Sequence, residues 1–212
     1  AKRQVYGVVG IDMLAGPSEV AVVADAAADP GLIAADLLAQ AEHDTEAGIF
    51  LVTTEEALVG QVRREVEERC RTLPRGEVAR SALQDAVAVA VPDLAEAARV
   101  VNYLAPEHLQ LMVEDPWGLL PFVRHAGSIF LGPYSPAALA DYAAGPNHVL
   151  PTGRTARFSS PLGVRDFLVA SNVMYCTREA FRELSPTARE LAQAEGLVAH
   201  AAALLAREEG SR

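Results

Sequence analysis

The sequence predicts an α/β fold: a Rossmann-like, mostly parallel sheet with helices on both faces, followed by a C-terminal helical tail. Three observations predict it. Short continuous apolar runs recur along the chain, as strands buried on both faces require. Helical stretches separate these runs, as parallel crossover connections require. Beyond residue 177 the text turns charged and helical, with no further strand.

Residues 20–25 (VAVVAD) are the first strand candidate. Asp29-Pro30 then opens a helix, because proline fits the first turn and lacks an amide that would stand unpaired there. Leu32, Ala35, Leu38 and Ala39 carry the helical repeat over 31–43. GIFLVTT (48–54) is the second strand, and Thr54 followed by Glu56 opens a charged helix to about Arg71. AVAVAV (86–91) is the third strand, with Pro92-Asp93 opening a helix to about Tyr103. HLQLMV (108–113) is the fourth strand, Pro116 starts another helix, and GSIFLG (127–132) is the fifth strand. From about 143 to 165 the text changes to Gly, Pro, Ser, Arg and Thr, a long ordered loop or lid of the kind that usually serves function. Residues 177–208 form the helical tail, expected to break near Ser185-Pro186. The expected division is therefore 1–165 as an α/β domain and 166–212 as the tail.

At 212 residues the chain can bury a real core. A formal net charge of -10 argues against a nucleic-acid partner, which needs a basic face, and against an anionic membrane. No apolar run is long enough to span a bilayer and no signal peptide opens the chain, so a cytoplasmic protein is expected. Cys70 and Cys176 form no CxxC pattern and read as idle thiols of a reducing compartment. The chain opens AKRQVYGVVGIDM without an initiator methionine and reads as cut from a longer protein.

The histidines carry the functional signal. Of five, four lie close to amide or carboxylate residues in an otherwise apolar text: Gln40 with His43, Glu107 with His108, Asp141 before His148, and Glu195 before His200. Such groups are costly to bury unpaired, and mixed imidazole and oxygen donors suit a borderline cation such as zinc. Gln40 and His43, three apart on a helix, share a face; a polar helix end is the plainer reading. Glu107 and His108 stand where a helix ends and a strand begins, and could serve proton transfer or simply form a surface turn. Asp141 follows the fifth strand, and ligand sites in open parallel sheets gather at the carboxyl ends of strands; a helix cap is the plainer reading. Glu195 and His200, five apart, do not share a helical face and read as solvated. His125 looks structural, and Ser18 has no neighbouring base to make it a nucleophile. No GxGxxG, Walker A or GxSxG pattern occurs. From these residues alone the reading ends at an α/β protein with a zinc-dependent polar site.

Taken together, GIDMLAGPSEV (10–20), DLLAQAEHD (36–44), NYLAPEHL (102–109), GSIFLGPYSPAALADYAAGPNHVLPT (127–152) and LAQAEGLVAH (191–200) resemble histidinol dehydrogenase. They span nearly the whole chain but only the C-terminal half of the family's chain. The resemblance implies oxidation of L-histidinol to L-histidine through the aldehyde, with two NAD+, at the end of histidine biosynthesis. It implies zinc ligands at Gln40, His43, Asp141 and His200, and a catalytic pair at Glu107 and His108. Ser18, His148 and Glu195 match substrate contacts, alongside Gln40, His43, His108, Asp141 and His200. It also implies a homodimer in which the tail, with Glu195 and His200, crosses to the partner. The NAD+ contacts are expected outside this chain, which would then be poorly active or inactive alone. Ala140 departs from the glycine usual there, which matters only if the backbone needs a positive φ. Two other readings remain: an inactive fragment or interaction remnant of the same fold, and a zinc hydrolase in which Glu107 activates a metal-bound water.

Overall fold

The computed structural model describes residues 1–209, which fall into two compact units, one over Ala1–Leu168 and one from Val169 onward. Each is taken by itself.

The first unit is built on five parallel strands: β1 (Glu19–Ala24), β2 (Gly48–Thr53), β3 (Val87–Ala90), β4 (His108–Met112) and β5 (Ser128–Leu131). Their order is β3-β2-β1-β4-β5, so the winding reverses between β1 and β4. All five strands stand within a residue or two of the apolar runs that predict them. The helices are α1 (Lys2–Val5), α2 (Pro30–Ala41), α3 (Glu56–Cys70), α4 (Gly76–Ala82), α5 (Leu94–Leu104), α6 (Pro116–Leu119) and α7 (Ala137–Leu139). Aspartates begin three of them. Asp29 accepts from the Gly31 amide at 2.7 Å, Asp93 from Glu96 at 2.7 Å and Asp115 from Gly118 at 2.9 Å. Each thereby satisfies an amide that the first helical turn leaves unpaired.

The alternation of side chains along the strands divides the core in two. One face carries Val20, Val22, Ile49 and Leu51, packed on Ile33, Leu37, Leu58 and Val62 from α2 and α3. The other carries Ala21, Val23, Leu109 and Leu111, packed on Ala97, Ala98 and Val101 of α5 and on Leu119. Burial of each Val, Leu or Ile side chain stabilises the sheet by about 1.5–3 kcal/mol.

Four details depart from the expected reading. The third strand is not covered on both faces: β3 is an edge with Val87 half exposed. The charged helix ends at Cys70, close to the expected Arg71, but a further helix, α4, fills the stretch before β3. The helix after Pro116 lasts one turn before passing into a 3-10 turn at Leu120–Phe122, where Pro121 removes an amide. The long loop begins as a π-helical turn over Ala140–Ala144 and holds 3-10 turns at Thr155–Arg157 and Val164–Phe167.

In the second unit, α8 (Arg178–Ala194) and α9 (Val198–Glu209) form a helical pair. The expected break at Ser185-Pro186 is absent, because α8 runs through Pro186 without interruption. The break comes instead at Gly196, whose φ of 73° suits glycine. There the Leu197 amide reaches the Ala192 carbonyl at 2.8 Å and the Gly196 amide reaches Gln193 at 3.0 Å, the two bonds of a Schellman ending.

Candidate active site

The site grows from the junction between α5 and β4. Ala105 takes a left-handed conformation (φ 48°) with its amide on Val101, and Pro106 then bars any further helical turn. The chain is thereby turned so that Glu107 and His108 arrive at the start of β4, both buried. His108 lies in register with Val20 on one side and Ser128 on the other. Gly127 closes in from β5: a Cβ there would stand 2.5 Å from the Glu107 carbonyl oxygen.

Glu19, at the start of β1, meets this junction twice. Its amide donates to Glu107 Oε2 at 2.9 Å, and its carboxylate accepts from the Glu107 amide at 3.3 Å. Its carbonyl oxygen lies 3.1 Å from His108 Nδ1, and Glu107 Oε2 lies 3.5 Å from the same nitrogen. Both neighbours can only accept, so Nδ1 carries the proton and the neutral ring presents its lone pair at Nε2. Nε2 is buried without a hydrogen-bond partner in the structure, and Phe130 stacks on the ring at 5.9 Å between centroids. A buried imidazole nitrogen held in the acceptor tautomer suits proton abstraction.

The electrostatics agree. Burial depresses the His108 imidazolium, but the Glu107 carboxylate, the Glu19 carbonyl and the charge of Asp141 outweigh it, leaving the pKa above its ordinary value. Glu19 is raised by burial, against the pull of the Gly153 and Glu107 amides. Asp36, one helical turn before Gln40, is also raised by burial, and the Gln110 side chain acts the other way. Gln110 is buried on β4, on the same face as His108, with Oε1 unpartnered.

Of the expected ligands, Gln40 sits in the last turn of α2 and His43 just beyond it. The Gln40 side chain is buried and has no hydrogen-bond partner among the described residues, whereas His43 is exposed. Asp141, in the π-helical turn after α7, is exposed and close enough to act on the charge of His108. Among the described residues no three histidine, cysteine or carboxylate side chains are gathered as a metal cluster. The donor types, an amide oxygen, an imidazole and a carboxylate, are nevertheless ones that zinc accepts. Ala140 adopts φ -66°, so the departure from glycine there strains nothing.

Ser18 immediately precedes β1, where its carbonyl accepts from Gly48 at 2.9 Å. His148 is exposed on a loop shaped by Asn147, which accepts from the Val149 amide at 2.8 Å and donates to the Leu162 carbonyl at 2.7 Å. That loop then returns to β1: the Gly153 amide donates to Glu19 Oε1 at 3.1 Å and the Gly16 amide to Thr152 Oγ1. Within the second unit, Glu195 ends α8 and His200 lies in α9, both lining one groove between the two helices. The backbone amide of His125, like that of Arg124, donates to Asn102 Oδ1.

Glu107 and His108 stand where α5 has ended and β4 begins, as the sequence places them, at the amino rim of the sheet beside Glu19 of β1. Gln110 and Asp36, polar residues within apolar segments, carry a signal of their own in the sequence; Glu19, at the edge of the β1 run, does not.

Residues 1–208 match the family model described as histidinol dehydrogenase. Curated relatives named histidinol dehydrogenase include one from Bacillus cereus (strain ATCC 14579), 53% identical over 210 residues, with 99% of this chain and 49% of the relative covered. One from Rhodospirillum rubrum is 53% identical over 209 residues, covering 98% of this chain and 48% of its own. One from Aquifex aeolicus is 50% identical over 209 residues, covering 98% and 49%. The chain thus spans about half the length of the curated relatives it matches. A crystal structure of histidinol dehydrogenase from Elizabethkingia anophelis superposes with a TM-score of 0.88 at 37% identity, covering 94% of this chain and 46% of that one.

Proposed function

Given that the chain belongs to the histidinol dehydrogenase family, we propose that it is the acid–base and metal-binding part of an enzyme that oxidises L-histidinol to L-histidine through the aldehyde. The observation that carries this reading is the buried Glu107–His108 pair, with His108 Nδ1 facing two acceptors and Nε2 buried without a partner. His108 Nε2 takes the alcohol proton as the carbinol carbon is oxidised, and the Glu107 carboxylate holds the resulting imidazolium. In the second oxidation Glu107 draws the proton from the water that adds to the aldehyde, and His108 again takes a proton. Ser18 and His148 are assigned to contacts with the substrate.

Gln40, His43 and Asp141 would hold the zinc, with His200 as fourth ligand. Zinc would supply a charged template for the substrate's imidazole and amine, and NAD+ the acceptor for each hydride. The NAD+ contacts are assigned to the other half of the longer chain that the relatives have. A homodimer is proposed, with Glu195 and His200 reaching the partner's site. It is supported by Leu184, Leu191, Val198 and Leu205, which stand exposed on α8 and α9. Among the described residues no helix is long and apolar enough to cross a membrane, and a cytoplasmic location is proposed. None of the matches supports the zinc hydrolase reading.

The test is NADH formation from L-histidinol and NAD+, measured on the protein at its natural length and on residues 1–212 alone, each loaded with zinc. Turnover by the longer protein alone is the expected result. Absence of histidinol-dependent NADH in both would overturn the assignment.

A further inference from the structure

The Glu19 carboxylate makes no hydrogen bond to the side chain of any residue assigned to chemistry or metal; it holds two backbone amides from distant parts of the chain. Oε2 accepts from Glu107 and Oε1 from Gly153, at 3.3 and 3.1 Å. Glu107 is itself one of the proposed reacting pair, and Gly153 lies on the loop that carries His148. Glu19 itself follows Ser18. One side chain therefore joins the three segments on which the assigned proton-transfer and substrate-contact residues stand. Keeping it there has a cost, because a half-buried carboxylate is desolvated beside a second carboxylate. A neutral apolar residue would fill the space without that cost but could accept from neither amide. A second bond, from the Gly16 amide to Thr152 Oγ1, joins the stretch before β1 to the same loop.

We infer that Glu19 is a positioning residue: its carboxylate is a latch that fixes the His148 loop to the Glu107–His108 pair and so sets where the proposed substrate contact stands relative to that pair. The inference rests on the function proposed above. Glu19→Ala removes both side-chain bonds, while Glu19→Gln keeps one acceptor oxygen and therefore one of them. The backbone bond from the Glu19 amide to the Glu107 carboxylate survives in both variants.

Two measurements on the protein at natural length separate the outcomes. In hydrogen exchange followed by mass spectrometry, Glu19→Ala is expected to speed exchange about tenfold or more in peptides carrying Gly153 and Glu107. Peptides from β2 should not change. In steady-state assays the same variant should raise KM for L-histidinol about tenfold or more, with a smaller fall in kcat and little change in Tm. Glu19→Gln should fall between Glu19→Ala and the unaltered protein in both. Unchanged exchange at Gly153 overturns the latch whatever the kinetics. Faster exchange with KM and kcat within about twofold of the unaltered protein overturns its role in the site. If the unaltered protein makes no NADH from histidinol, the functional assignment fails instead, and exchange at Gly153 still decides whether the latch exists.

Discussion

Glu19 and Glu107 exchange hydrogen bonds: the amide of each donates to the carboxylate of the other, at 2.9 and 3.3 Å. The pairing binds two carboxylates to two central strands without direct contact between like charges. It also fixes Glu107 Oε2 beside His108 Nδ1, so the two side chains are oriented by backbone as much as by each other.

Replacing Glu107 with glutamine should separate the two oxidations. The amide keeps an acceptor for the Glu19 N–H but loses the charge that holds the imidazolium and draws the proton from water. Oxidation of L-histidinal is expected to fall about 10²–10⁴-fold, and oxidation of L-histidinol less. Separate NADH assays with alcohol and aldehyde check this, and equal losses would contradict the division of labour.

The raised His108 pKa gives a signed pH dependence. The base works unprotonated, so kcat/KM should rise with pH through a midpoint above 6.5. Glu107→Gln should move that limb toward lower pH, because the raising carboxylate is lost. A cation on Asp141 would cancel that residue's share of the effect. For stability the sign is opposite: a raised folded-state pKa gives stabilisation fully present below 6.5 and lost as pH rises through the higher folded value. Glu19 and Asp36, also raised, act in the same direction from their ordinary values of 4.5 and 3.8 upward. Rate profiles and Tm measured across pH 4–9, on both proteins, check the two signs.

Gly127→Ala should damage the site through the backbone. The added methyl would stand 2.5 Å from the Glu107 carbonyl, which cannot swing aside as a side chain could. A loss of about 1–3 kcal/mol in denaturant unfolding is expected. Activity should fall as well, since the Ser128 amide to Glu107 carbonyl bond of 2.8 Å must shift. Wild-type stability in the variant would mean that β5 yields more readily than its pairing implies.

Metal removal tests the donor set. Dialysis against a chelator should abolish histidinol oxidation, and added zinc should restore it. His43→Ala and Asp141→Asn should each lower zinc affinity about tenfold or more. Metal content after equilibrium dialysis is the readout, and unaltered zinc binding in both variants would remove them from the ligand set.

The five strands were legible because central parallel strands are apolar on both faces, and their runs stand out from amphipathic helices. The edge β3 read the same way, since Ala and Val do not reveal whether a neighbour covers them. Pro186 misled because proline weakens a helix locally, whereas packing and the Gly196 ending decide where α8 stops. Glu107 and His108 were legible as an adjacent pair. Glu19 was not, because its importance lies in bonds to residues 88 and 134 positions away. The tautomer of His108 is likewise set by a backbone carbonyl, which every residue has and no sequence marks.

Placing Glu107 and His108 at the amino rim of the sheet selects the sign of charge that the proposed site favours. Helices that follow parallel strands run back against them, so the rim where β1 and β4 begin receives the carbonyl ends of α2 and α5. Those ends carry the negative pole of the helix dipole. Phosphate groups are held at the opposite rim of such sheets, where helices begin and amides point outward. A site on the amino rim is biased toward cations, whether a divalent metal, an imidazolium or a protonated amine, and the fold supplies that bias before any side chain is chosen.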